Sequence, residues 1–135
     1  MWHSTFRDGV HLACGDHGGE GPAAVLVHGL AGHAGEWDGT AAWLGRTHRV
    51  VAPDARGHGR SERRPGDVSR TACVDDLAHW IELLGLAPAL VIGQSLGGHT
   101  AFLLAARPSP PWSRQARRTP SREVTRHTRP PYASR

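Results

Sequence analysis

The chain has 135 residues, a hydrophobic content of 39% and a net charge of +4, which fit one modest folded domain and exclude wholesale disorder. All 16 basic residues are arginine, so the composition excludes lysine-based mechanisms such as a Walker phosphate loop or a Schiff base. The charge is uneven, because residues 1–106 carry 8 arginines against 11 acids, whereas residues 107–135 carry 8 arginines against one acid. We therefore attribute the basic character to the tail and expect no nucleic-acid-binding domain.

The first predicted elements are a hairpin and three strands. The hairpin is predicted because an Asp8-Gly9 pair, which favours a tight turn, lies between Ser4 to Arg7 and Val10 to Ala13. Unbroken apolar runs downstream are typical of strands covered on both faces. These strand candidates are Ala23 to Val27, Val50 to Ala52 and Ala89 to Ile92.

Three helical patterns alternate with the strands: Glu36 to Leu44, closed by Gly45; Arg70 to Leu84, capped by Ser69 and ended by Gly85; and Leu96 to Ala106. This alternation predicts parallel strands joined by crossover helices, and so an α/β domain over residues 1–106. Residues 107–135 are rich in Arg, Pro and Ser and contain no Leu or Ile, so we predict a disordered tail.

The cysteines and the apolar runs indicate whether to expect metal sites, disulfides or membrane segments. Cys14 and Cys73 lie far apart without a ligand cluster, so neither a zinc site nor a disulfide framework is predicted. The N-terminus lacks an apolar signal segment, and the apolar runs are too short to span a membrane. We expect a cytoplasmic protein with no metal or other cofactor and no membrane contact.

The third strand candidate ends in Gly93-Gln94-Ser95-Leu96-Gly97, a small-x-Ser-x-small turn that leads directly into a helix. This pattern predicts a serine nucleophile on a strand-to-helix elbow, where the sharp turn presents the hydroxyl to solvent. Gly93 and Gly97 leave room where a β-carbon would clash with neighbouring backbone. The alternative is an ordinary glycine-rich connection that binds nothing.

Two further loops follow the first and second of these strands. After the first, His28-Gly29-Leu30 predicts an oxyanion hole formed by the backbone N–H groups of Leu30 and Leu96. Gly29 would allow close approach of substrate, and His28 would have a structural role. After the second, we expect Asp54 and Arg56 to pair and fix their loop. A metal site at Asp54 and His58 is less favoured, because no third ligand has a defined spacing.

Together these motifs resemble the α/β-hydrolase fold family, in its serine-nucleophile branch. The resemblance covers roughly residues 3–106 and rests on Leu26 to Gly29, Pro53 to Ser61 and Gly93 to Gly98. It implies the N-terminal portion of a three-layer core with a mostly parallel sheet, truncated after the nucleophile helix. It further implies a small-molecule ester or acyl substrate, with Ser95 as nucleophile and Leu30 and Leu96 as oxyanion donors.

In this family an acid and then a histidine follow the nucleophile. Downstream of Ser95 the sequence offers only Glu123, His99 and His127, none of which we expect to serve. We therefore expect the chain alone to be inactive, and a shifted reading frame is one explanation of residues 107–135. Alternatives are a cofactor-free haloperoxidase or perhydrolase-like protein, a lyase-type synthase on the same scaffold, or a non-catalytic fragment whose basic tail binds a polyanion.

Overall fold

The computed structural model describes residues 1–108 and the backbone of residues 125–127. In these residues six strands form one sheet flanked by three α-helices. The strands are β1 (Trp2–Arg7), β2 (Val10–Gly18), β3 (Ala23–Val27), β4 (Arg49–Asp54), β5 (Ala89–Gly93) and β6 (Thr125–His127). The helices are α1 (Asp38–Leu44), which follows a 3₁₀ turn at Ala34–Trp37, then α2 (Arg70–Leu83) and α3 (Leu96–Ala105).

The strands lie in the order β5-β3-β4-β2-β1-β6. β3 is parallel to both β4 and β5, whereas β2, β1 and β6 join the sheet through antiparallel pairs. In the parallel part Val25 pairs with Val51 on one side and with Val91 on the other. The carboxyl ends of β3, β4 and β5 therefore meet at one edge of the sheet, where ligands bind in open α/β folds.

Apolar clusters fill both faces of this sheet and make a three-layer structure. The α1 face contains Ala24, Leu26 and Val50, while the other face packs β3 against α2 through residues such as Val25 and Trp80. Every residue of β3 is buried, as its unbroken apolar sequence predicts. The same prediction is wrong for β5, which is only half-buried because it lies at the sheet edge.

The predicted elements are confirmed, with local signals that act as expected. Asp8 and Gly9 both have positive φ values, 49° and 76°, which suit the turn of a twisted hairpin. The Ser69 hydroxyl accepts a hydrogen bond from the Ala72 N–H at the start of α2, and Gly85 follows that helix with φ +62°. The first helical pattern divides into the 3₁₀ turn and α1.

The tail differs from its prediction at one place. Thr125–His127 pairs with β1 as strand β6, whereas we predicted no regular structure there. Residues 109–124 and 128–135 lie outside the described residues, so disorder stays a prediction for them. None of the helices described for residues 1–108 is long and apolar enough to cross a membrane.

Candidate active site

Ser95 lies at the junction of β5 and α3, in a conformation that few residues adopt. Its φ and ψ are +50° and −117°, and a positive φ is uncommon for any residue other than glycine. The side chain is exposed and does not cap α3. Within residues 1–108 its hydroxyl has no hydrogen-bond partner, so the serine is presented to solvent at the carboxyl edge of the sheet.

The glycines around Ser95 are needed because backbone segments approach closely. A β-carbon at Gly93 would overlap the carbonyl oxygen of Gly97. One at Gly97 would overlap the carbonyl oxygens of Val27 and His28, at the end of β3. The small residues of the motif thus let α3 begin directly against the neighbouring strand.

The loop after β3 lies beside the Ser95 hydroxyl. A β-carbon built on Gly29 would be 3.3 Å from Cβ and 3.9 Å from Oγ of Ser95. The Gln94 N–H donates to the Val27 carbonyl at 3.0 Å and joins this loop to the elbow. In the described part of the chain, the N–H groups of Leu30 and Leu96 have no hydrogen-bond acceptor, so both are available to a ligand oxygen.

His28 is a buried residue that holds two loops together. Its Nδ1 donates to the Gly29 carbonyl at 2.7 Å, and its Nε2 accepts from the Ala55 N–H at 3.0 Å. This arrangement requires the neutral ring, because an imidazolium has no acceptor. Burial lowers the pKa of His28 from its ordinary value of 6.5, and the repulsion of a protonated His58 acts in the same direction.

This lowered pKa predicts a loss of stability on mild acidification. Between pH 6.5 and the lower folded-state pKa, the unfolded chain binds a proton at residue 28 that the folded chain does not. The free energy of unfolding should therefore fall as the pH falls through this window, and the loss should stop below it. Urea titrations at several pH values should show a flatter profile for His28→Gln.

A steeper or equal pH dependence in His28→Gln would contradict this assignment. His17, whose pKa is also lowered by burial, is present in both proteins, so its contribution cancels in the comparison.

Asp54 anchors the two loops that follow β3 and β4. Its Oδ1 accepts from the Ala34 N–H at 2.7 Å and its Oδ2 from the Arg60 N–H at 2.9 Å. Gly59, with φ +52°, gives the carboxylate room, because a β-carbon there would overlap it. These bonds fix the loop geometry on both sides of the site.

The predicted pair between Asp54 and Arg56 is wrong. The Asp54 oxygens are used by backbone N–H groups, and Arg56 reaches Asp76 on α2, with Nε–Oδ2 2.6 Å and Nη2–Oδ1 2.8 Å. Arg7 of β1 also binds Asp76, through an Nε–Oδ1 contact of 2.6 Å. Asp76 therefore links the loop after β4 to β1, a role that the local sequence did not indicate.

His58 supports the loop of the predicted oxyanion hole through both of its ring nitrogens. Its Nε2 accepts from the Ala31 N–H at 3.2 Å, while its Nδ1 donates to the Arg56 carbonyl at 3.1 Å. Across residues 1–108, no group of three His, Cys, Asp or Glu side chains is placed to hold a metal ion.

The two downstream histidines are poorly placed to activate Ser95. His99 is exposed on α3, and its N–H makes the first helical bond, to the Ser95 carbonyl. His127 lies on β6 at the opposite edge of the sheet from β5. Five spacings of about 4.8 Å separate these strands, so the two backbones lie about 24 Å apart. Glu123 lies outside the described residues.

A sharp turn from a parallel strand into a helix, with a serine at positive φ, is the geometry of the nucleophile elbow of α/β hydrolases. In the comparison with known proteins, the family model described as the alpha/beta hydrolase fold matches residues 22–112. The chain belongs to the α/β-hydrolase fold family.

Similar proteins include enzymes of several activities. The chain is 44% identical over 86 residues to the sn-1-specific diacylglycerol lipase ABHD11 of Mus musculus, covering 62% of this chain and 28% of the lipase. It is 34% identical over 114 residues to the bifunctional esterase/perhydrolase DCH of Acinetobacter calcoaceticus, covering 82% of this chain and 41% of that protein. The enol-lactonase structure from Burkholderia xenovorans LB400 matches with TM-score 0.72 and 32% identity, over 77% and 41% of the two chains.

The chain is much shorter than these relatives. It spans between 26% and 41% of the length of the curated proteins named here and of a similar uncharacterized mycobacterial protein. The activities of the whole relatives therefore reach this chain only as proposals.

Proposed function

We propose that Ser95 is the nucleophile of a serine hydrolase site that acts on a carboxylic ester or related acyl compound. The observation that carries this proposal is the exposed Ser95 hydroxyl at positive φ, with Gly29 beside it and two unused N–H groups nearby. Preorganised backbone donors stabilise the oxyanion of acyl transfer, and their contribution to rate is usually large.

In the proposed reaction the Ser95 oxygen attacks the carbonyl carbon of the ester and gives its proton to a base. The carbonyl oxygen becomes an oxyanion that accepts hydrogen bonds from the N–H groups of Leu30 and Leu96. Collapse of this tetrahedral intermediate breaks the bond between the carbonyl carbon and the alcohol oxygen. The alcohol leaves with the proton that the base took from Ser95. Water then attacks the acyl-enzyme, releases the carboxylic acid and restores the serine.

The base is the missing part in the described residues, because no side chain there hydrogen-bonds to the Ser95 hydroxyl. We therefore propose that the 135-residue chain alone has little turnover, and that a base from additional polypeptide is needed for full activity. An oxyanion hole and substrate binding without the triad leave an acceleration of roughly 10³-fold over water.

A perhydrolase reaction at the same site is the second candidate, supported by the similarity to the bifunctional esterase/perhydrolase. Hydrogen peroxide would replace water as the attacker of the acyl-enzyme and yield a peroxy acid. Both candidates share the Ser95 acyl-enzyme and need no cofactor.

A fluorophosphonate probe tests the shared step. We expect mass spectrometry of the full chain to find modification at Ser95, more slowly than in a complete serine hydrolase, and none there in Ser95→Ala. Ser4→Ala is the matched control and should label like the unmodified chain.

Equal labelling of Ser4 and Ser95, or no labelling of Ser95, would contradict the nucleophile assignment. Rapid turnover of p-nitrophenyl acetate that is lost in Ser95→Ala would contradict the proposed need for an added base.

A further inference from the structure

A cavity of about 390 Å³ opens beside the loop of the predicted oxyanion hole and extends between α2 and α3. Gly29, Leu30 and Leu96 line one part of it. A β-carbon on Gly29 would lie 3.9 Å from the Ser95 hydroxyl oxygen, so this part of the cavity adjoins the elbow. Arg70 and Cys73 of α2 line another part. Its volume lies within the range of small-molecule sites, which suits the acyl portion of a modest substrate.

The acidic groups of this cavity are already satisfied. Asp54 accepts from two backbone N–H groups, and Asp76 is shared by Arg7 and Arg56. Neither carboxylate is therefore free to pair with a further cation of the cavity.

Arg70 is a cation with only neutral partners in residues 1–108. Its Nη1 donates to the Thr100 hydroxyl at 3.2 Å, and its Nη2 lies 3.2 Å from the Cys73 sulfur. Burial raises the pKa of the Cys73 thiol, so this sulfur stays protonated and neutral. Arg63, which also lines the cavity and is exposed, makes no ion pair in the same residues.

We propose that this cavity binds the acyl portion of an anionic substrate, and that Arg70 binds the substrate carboxylate. As a statement about substrates, this inference rests on the proposed function at Ser95. A guanidinium has five N–H donors in a planar fork that matches a carboxylate, and the two bonds that Arg70 makes leave donors unused. Leu77 and Trp80 give the cavity apolar walls for a hydrocarbon chain. A half-ester of a dicarboxylic acid combines these features.

The test compares two esters that differ in one charge. The full chain with Ser95→Ala, which cannot form an acyl-enzyme, is titrated calorimetrically with monomethyl adipate and with dimethyl adipate. We expect the anionic half-ester to bind about tenfold more tightly, as one charge-assisted interaction allows. When Arg70→Gln is combined with Ser95→Ala, the ratio of the two dissociation constants should fall to about one. When Arg70→Lys is combined with Ser95→Ala instead, part of the preference should remain.

A matched variant separates recognition by Arg70 from a general loss of positive charge. Arg64→Gln removes an exposed arginine that does not line the cavity, so the preference should persist.

Equal binding of the two esters would overturn the inference, as would a tenfold preference that survives in Arg70→Gln. Loss of the preference in Arg64→Gln would also overturn it, since a general loss of positive charge would then explain the effect. These titrations do not depend on the Ser95 hydroxyl. If the fluorophosphonate probe does not label Ser95 but the preference for the half-ester is intact, the proposed function is contradicted and the inference about Arg70 is not.

Discussion

Replacing Asp76 with alanine is expected to lower the free energy of unfolding by about 3–5 kcal/mol, because it leaves the buried Arg56 and the partly buried Arg7 without their counter-charge. The carboxylate is buried and contacts both Arg7 and Arg56, and the Arg56 side chain is only 2% exposed. The hydrogen bonds that Asp76 accepts from Arg56 are also the main reason that the pKa of Arg56 is raised. Without them, the loop after β4 would lose its attachment to α2 and β1.

Urea denaturation followed by circular dichroism measures this loss, and Asp75→Ala provides the matched control. Asp75 is the neighbouring acid on α2 and pairs with Arg107 at 2.6 Å, but both side chains are about one third exposed. Its removal should cost less than about 1 kcal/mol. Similar losses in the two variants would show that Asp76 is not the link that its contacts indicate.

Changing Asp54 to asparagine is expected to cost about 1–3 kcal/mol and to slow the labelling of Ser95. An amide has one acceptor oxygen, so one of the N–H groups of Ala34 and Arg60 would lose its partner and face an NH₂ group. Since these bonds hold the loops on both sides of the site, their loss should displace the donors near Ser95.

Amide hydrogen exchange provides the direct measurement, with faster exchange expected at Ala34 or Arg60 in Asp54→Asn. Asp38→Asn is the control, because Asp38 is exposed at the start of α1 and its change should alter stability by no more than about 0.5 kcal/mol. Unchanged exchange at both residues would show that Asp54 does not anchor the loops.

Much of the fold is encoded in local signals. The run from Ala89 to Ile92 predicts a strand because it is apolar and short, and Ser69 and Gly85 mark the limits of α2 through a cap and a positive φ. Ser95 is identifiable for the same reason, since the close contact of Gly97 with β3 demands a residue without a β-carbon.

The errors concern contacts between distant segments. Asp54 and Arg56 are neighbours in sequence with opposite charges, yet Asp54 binds backbone N–H groups of two loops and Arg56 binds a residue on α2. The exposure of β5 depends on the position of this strand at the edge of the sheet, and the residues of β5 alone do not determine that position. The role proposed for Arg70 has no local signal in the sequence, because its lack of an acidic partner appears only once α2 and α3 are packed together.

The positive φ of Ser95 affects which part of the molecule unfolds first on heating. A positive φ in a residue with a side chain costs of order 1–3 kcal/mol and persists only while the surrounding packing enforces it. If β3 or the first turn of α3 relaxes, the bend can open downhill in energy while the rest of the sheet stays intact. Heating should then turn the hydroxyl away from its neighbouring donors at a lower temperature than the one that melts the domain.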